Sequence, residues 1–225
     1  MNELVKKFLS RDDIKCLILD NNVREVMTEW AKYARDQGEM GSRSLANYFH
    51  ECGVNLLDYA EGVITKVWIQ DEYTLDYNIP QGVEIIGPSS FEDLVIRSAT
   101  IPESVRMIAK RAFAGSLISE LRFDPSIRLN IIDIDAFLRC ERLSSVVIPS
   151  VREIRQNAFY GCDQLNRVEL PSDIKIIGKR AFNRCPKLKE IIYRGTIVDW
   201  DNILFDSTSF DAGVVVKCID GVVGV

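Results

Sequence analysis

Residues 148–159 read IPSVREIRQNAF, residues 101–113 read IPESVRMIAKRAF, and residues 170–182 read LPSDIKIIGKRAF. A degenerate copy, DPSIRLNIIDIDAF, fills residues 124–137. Around these segments Pro80, Pro102, Pro125, Pro149 and Pro171 recur at intervals of 22, 23, 24 and 22. Phe91, Phe113, Phe137, Phe159 and Phe182 recur at 22, 24, 22 and 23. Two markers keeping one period make the chain a repeat array.

Each unit has a physical reading. Leu143, Val146 and Ile148 alternate toward one side of a strand, and Leu165, Val168 and Leu170 repeat the pattern. Pro149 and Pro171 then stop the ladder, because proline has no N–H to donate. A second short apolar stretch follows, Val151 with Ile154 or Ile174 with Ile177. Next come Ala112-Phe113, Ala136-Phe137, Ala158-Phe159 and Ala181-Phe182. The small residue admits a neighbouring turn, and the ring stacks on its counterparts as an interior column. No unit can bury its apolar face alone, so successive turns must stack into a solenoid.

These residues resemble the BspA-like, or Treponema pallidum type, leucine-rich repeats, whose unit runs Ile-Pro, Ser-Val-x-x-Ile, Ala-Phe-x-Gly-Cys. The match covers about residues 79–194, and the period suits leucine-rich repeats. Gly115 and Gly161 fit the glycine slot, which Arg139 and Arg184 fill in two other turns. Tyr193, Gly195, Thr196 and Trp200, with Val216, Cys218, Asp220 and Gly221, resemble the segments that close such arrays. The resemblance implies an α/β solenoid: a right-handed leucine-rich array of about five turns that serves recognition without a shared catalytic apparatus.

The front of the chain reads differently. Val23, Val26, Met27, Trp30 and Ala34 share one face of a helix over 22–37, with Asn22 and Glu25 as its capped start and Gly38 as its stop. Another helix is expected from Ser42 to about Cys52, and one or two more within 2–19. The expected organisation is a helical N-terminal head or cap over 1–62, a strand-like lead-in over 63–78, repeats over 79–194 and a closing segment over 195–225. Solenoid ends expose a core cross-section, so capping is the plainest role for the head, with partner binding as the alternative.

Composition narrows the chemistry. The 225 residues include 47% hydrophobic and 27% charged residues, the balance of a folded globular chain, with a net charge of −5. A single histidine, His50, removes every multi-histidine metal site. His50 and Cys52 lie two apart on an expected helix and do not face one another. No phosphate-binding glycine loop occurs, and Asp71, Glu72 and Asp76 lack the calcium-loop spacing. Cys140, Cys162 and Cys185 each follow a phenylalanine by three residues, and read as a buried ladder of small apolar groups. Six cysteines without a CxxC pair, and a start without an apolar leader, suggest a reducing cytoplasm. No cofactor, metal, catalytic activity or membrane partner is expected.

Two surfaces remain. Residues 1–100 are net −7, 101–194 net +6, and 195–225 net −4. Within the basic part Arg106, Arg128, Arg152 and Lys175 hold one slot and would line into a ridge, an alternative site for nucleic acid or an acidic protein. The ridge lacks the aromatic interleaving of single-strand binders. The strand face carries Arg122, Val147, Arg167, Glu169 and Ile192, whose mixture of charge and aliphatic groups suits a protein partner. The sequence therefore reads as an intracellular, non-enzymatic protein-recognition scaffold, a regulator or an inhibitor.

Overall fold

A computed structural model describes residues 75–225 continuously, strands β1 (Leu57–Ala60) and β2 (Val63–Val67), and single positions among residues 7–36. The chain divides into two units, one holding Met1–Tyr59 with Lys66–Glu72, the other Ala60–Thr65 with Tyr73–Val225. In the first unit Lys7, Phe8, Glu29, Tyr33 and Asp36 have helical backbone. The buried Phe8 ring lies 5.5 Å from that of Tyr33 there. The helices expected over 22–37 and 42–52, with Trp30, His50 and Cys52, otherwise lie outside the described residues.

The second unit is a parallel β-solenoid of two facing sheets. The back sheet runs β2, β4 (Ile85–Ile86), β6 (Met107–Ile108), β8 (Leu129–Ile132), β10 (Val151–Ile154), β12 (Ile176–Ile177) and β14 (Leu204–Phe205). The front strands are β3 (Leu75–Asn78), β5 (Ile96–Ile101), β7 (Glu120–Phe123), β9 (Ser145–Val147), β11 (Arg167–Leu170), β13 (Glu190–Tyr193) and β15 (Val215–Cys218). They form two ladders, β3-β5-β7 and β9-β11-β13-β15, and β16 (Gly221–Gly224) turns back antiparallel on β15.

The expected α/β character needs correction. Among the described residues the one continuous helix is α1 (Ile197–Asp201), near the C-terminal end, and the back of every turn is strand. The physical reason lies in the repeat itself. Val151, Ile154, Ile176 and Ile177 are β-branched, and a left-handed residue follows within a few positions, which no helix propagates through.

That left-handed geometry occurs twice per turn, two residues either side of the phenylalanine. Ser89, Arg111, Asp135, Asn157 and Arg180 precede the ring, with φ of 53–58°. Asp93, Gly115, Arg139, Gly161 and Arg184 follow it. Between them the phenylalanine N–H donates to the small residue of the next turn: Phe113 to Ala136 O at 2.8 Å, Phe137 to Ala158 O at 2.7 Å, Phe159 to Ala181 O at 2.8 Å. The rings therefore repeat at the ladder spacing.

The column holds six rings rather than five. Phe91, Phe113, Phe137, Phe159 and Phe182 stack at centroid distances of 4.6–5.1 Å, and Phe210 follows at 5.9 Å with its plane 1° from that of Phe182. The array thus has about six turns. α1 is inserted into the last one, so the interval from Phe182 to Phe210 breaks the period.

The C-terminal segment packs on the last turns. Trp200, buried, meets the Tyr193 ring edge-on at 5.2 Å, and Gly195 leaves no room for a Cβ beside that ring. Thr196 and Asp199 form a reciprocal capping box at the start of α1. Asp211 accepts from the N–H groups of Arg184 and Cys185 and from the Asn183 amide, tying the last loop down.

Candidate functional site

The front sheet is built from strands whose alternate residues point inward. In β11, Val168 and Leu170 are buried, as Val146, Ile191 and Val216 are in its neighbours. The residues between them form two outward rows. Register places Arg167 beside Ser145, then Glu169 beside Val147 and Ile192, and Ile192 beside Lys217. Lys217 in turn sits opposite Val222 of β16. On the earlier ladder Thr100 stands beside Arg122 and Ser98 beside Glu120.

Four of the five expected strand-face residues are open to solvent. Arg122 and Arg167 are exposed, and Val147 and Ile192 are half-buried. Glu169 is the exception, with 9% of its surface exposed. Its carboxylate pairs with Arg167 on the same strand and with Arg194 at 2.9 Å, and these two guanidiniums hold it below the usual carboxylate range. Glu169 is therefore largely covered and clamped between two arginines. The other front-sheet charges are also paired: Arg122 with Glu120, Lys217 with Glu190 at 2.6 Å, and Arg97 with Asp76, whose carboxyl it holds down to about 2.

The back ridge is placed differently from the sequence alignment. Arg106 N donates to Glu84 O, Asn130 N to Arg106 O, and Lys175 N to Arg152 O. Val151 stands opposite Leu129, which puts Arg152 beside Asn130. The row is thus Glu84, Arg106, Asn130, Arg152 and Lys175, and Arg128 lies two residues out of it. Counting eight residues back from each phenylalanine gives Val105, Leu129, Val151 and Ile174, and would have found this register. The Arg106 guanidinium donates to Glu103 O and Val105 O, and that of Arg128 to Ser126 O and Ile127 O. Both arginines cap carbonyls of their own turn. Asn130 interrupts the expected line of charge, and a glutamate begins it.

The cysteine ladder is buried as its slot requires. Cys140, Cys162 and Cys185 are free thiols that donate to Phe113 O, Phe137 O and Phe159 O at 3.1, 3.3 and 3.2 Å. Burial pushes the thiols of Cys140 and Cys185 up to about 12, and that of Cys162 well above its ordinary value. Among the described residues no group of three His, Cys, Asp or Glu side chains is placed to hold a metal.

The family model for the BspA type leucine-rich repeat region matches residues 70–189 and 130–214, with six copies. The chain belongs to the BspA-type leucine-rich repeat family. No curated protein matches the sequence. A leucine-rich cell-surface protein from Faecalibacterium prausnitzii A2-165 is 30% identical, with a TM-score of 0.59, over 64% of this chain and 38% of its own. The T. pallidum leucine-rich repeat protein is 26% identical, with a TM-score of 0.53, over 64% of this chain and 72% of its own. The chain thus spans well under half the length of the first of these relatives.

Proteins with BspA-type repeats are generally non-enzymatic scaffolds for recognition and protein–protein interaction. The cytoplasmic placement expected from the sequence is overturned by the surface location of the F. prausnitzii relative. Thiol usage misled there for a physical reason. A solenoid held together by stacked rings and backbone ladders needs no disulfide, so its lack of paired cysteines does not report a compartment.

Proposed function

We propose that this BspA-type array is a cell-surface recognition scaffold that binds another protein through the front sheet. The observation that carries this reading is the row Val147–Glu169–Ile192–Lys217. Half-exposed aliphatic side chains flank a carboxylate already clamped by Arg167 and Arg194. Charges paired before binding lose less freedom when a partner arrives, and aliphatic groups beside them supply the apolar burial on which affinity depends. The back sheet also carries partly open aliphatic groups, Ile85, Met107, Ile131 and Ile176, but the cations beside them, Arg106, Arg152 and Lys175, have no ion pair among the described residues to hold them before a partner arrives. Exposed charges of that kind mainly steer association and are screened by salt. The surface location of the F. prausnitzii relative supports the placement proposed here.

Two variants test the choice of face on whatever protein the immobilised wild-type chain captures. Val147→Asp with Arg167→Glu is expected to abolish retention at physiological salt. Arg106→Ser with Arg152→Ser is expected to slow association and leave the complex otherwise intact. The opposite pattern, with the back-sheet variant inactive and the front-sheet variant normal, overturns the reading. Salt adds a second check. A nucleic-acid complex on the back sheet would lose affinity linearly on log–log axes, while an apolar protein interface changes little.

A further inference from the structure

Among the described residues, the front sheet ends in an edge that no further strand covers. β16 is its last strand, joined to β15 through the two-residue turn Ile219–Asp220. In such a hairpin Cys218 with Gly221, and Val216 with Val223, are the hydrogen-bonded pairs. The β15 residues between them face the other way, as the bonds from Val215 N to Lys189 O and from Ile219 N to Gly195 O show. The N–H and C=O groups of Val222 and Gly224 therefore point to the open side. Natural sheets protect such edges with charge, proline or a bulge, and the sequence Gly221-Val222-Val223-Gly224 has none of these.

Apolar exposure gathers at the same end. Of the seven exposed large hydrophobic residues among those described, six lie between Ile176 and Val222, the exception being Val95. Ile219 is 72% exposed, Leu204 on the terminal back strand 69%, and Val222 60%. The charge beside the hairpin is mainly acidic. Asp199, Asp201 and Asp220 are exposed, lie near Cys218 and carry no ion pair among the described residues, while Lys217 is engaged by Glu190. The cations Lys175, Lys179 and Arg180 lie toward the back sheet, near Leu204 and Asp206. A second copy of the chain would bring this acidic end against itself. A segment carrying lysine or arginine would not.

We propose that the β16 edge takes up an extended partner segment by strand addition, the segment alternating aliphatic with basic side chains. Backbone hydrogen bonds to Val222 and Gly224 fix its register, Val222 and Ile219 receive its aliphatic groups, and the surrounding aspartates select its cations. The strand would continue the front sheet beyond Val222. The inference stands apart from the face reading above, since Val147 and Arg167 take no part in it.

The test uses the 225-residue chain and a short fluorescent peptide of alternating valine and lysine, read by anisotropy at physiological ionic strength. Val222→Pro removes an N–H that bonds nothing in β15, so the hairpin ladder is kept. The expected result is saturable binding that weakens roughly five- to tenfold in Val222→Pro, the loss of about one hydrogen bond. Val222→Lys weakens it too, by adding a cation to the edge, and Val222→Thr retains it. A valine–glutamate peptide does not bind. The proposal is overturned by no binding to the wild-type chain, by equal binding to Val222→Pro, or by a valine–glutamate peptide binding as well. Self-association of the wild type that Val222→Pro abolishes would also overturn it, in favour of a second copy.

Discussion

The ring of Phe159 lies 5.0 Å from that of Phe137, with their planes 3° apart, and both are fully buried. Each is held by its own N–H, which donates to the alanine preceding the next ring. The column is therefore set by the backbone ladder and filled by the rings. Phe159→Ala should leave a cavity in the middle of the array that neighbours on two sides cannot collapse into. The expected cost is about 3–5 kcal/mol in a denaturant titration. A loss under about 1 kcal/mol would show that the ring is not a structural column.

Cys140, Cys162 and Cys185 should resist thiol reagents in the folded chain and react on denaturation. Their thiols are buried, bonded to phenylalanine carbonyls, and shifted up by that burial, so little thiolate exists at neutral pH. Cys218 is half-exposed and should label ahead of them. Mass spectrometry of each site over time reads the order. Fast labelling of the three in folded protein contradicts the ladder.

Arg139 adopts φ 55° in the slot where Gly115 and Gly161 have 68° and 72°. A residue with a Cβ is strained there by about 1–2 kcal/mol. Arg139→Gly should therefore stabilise the protein by roughly 0.5–1 kcal/mol, after the entropy that glycine adds to the unfolded chain. Arg184→Gly should gain less, because the Arg184 guanidinium lies over the Tyr160 ring at 5.6 Å. Thermal or chemical denaturation of the two variants measures the difference. Destabilisation by Arg139→Gly would mean that the arginine side chain matters more than its backbone.

Glu169 links stability to pH. Arg167, then Arg194, hold its folded-state carboxyl below the ordinary glutamate value of about 4.3. A depressed carboxyl contributes stability above its unfolded value, and loses it as pH falls through the folded one. The wild type should thus lose stability on acidification below about pH 4.3 more steeply than Glu169→Gln. Chemical denaturation at stepped pH values reads this. Parallel curves for the two proteins would show that the clamp contributes nothing.

Much of this molecule was legible in one sequence because the repeat is written twice, in proline and in phenylalanine. The two markers disagree by a residue or two where the third turn lengthens. Alignment on proline put Arg128 in line with Arg106, whereas the ladder follows the phenylalanine and puts Asn130 there. Phe210 escaped notice because α1 stretches the last interval. The burial of Glu169 depends on Arg194, 25 residues away in the next turn, and no local pattern reports such a partner. Exposure at the C-terminal end was likewise invisible, since Leu204 and Val222 read as ordinary strand residues until the sheets are seen to stop there.

Hydroxyl-radical footprinting of the complex with a captured partner tests the recognition surface most directly, because it reads the side chains themselves. Val147 and Ile192 on the front sheet, with Met107 and Ile176 on the back, are partly open in the free chain and report on opposite faces. Binding should protect Val147 and Ile192 and leave Met107 and Ile176 as reactive as before. Protection of Met107 and Ile176, with Val147 and Ile192 still reactive, would place the partner on the back sheet and contradict the account.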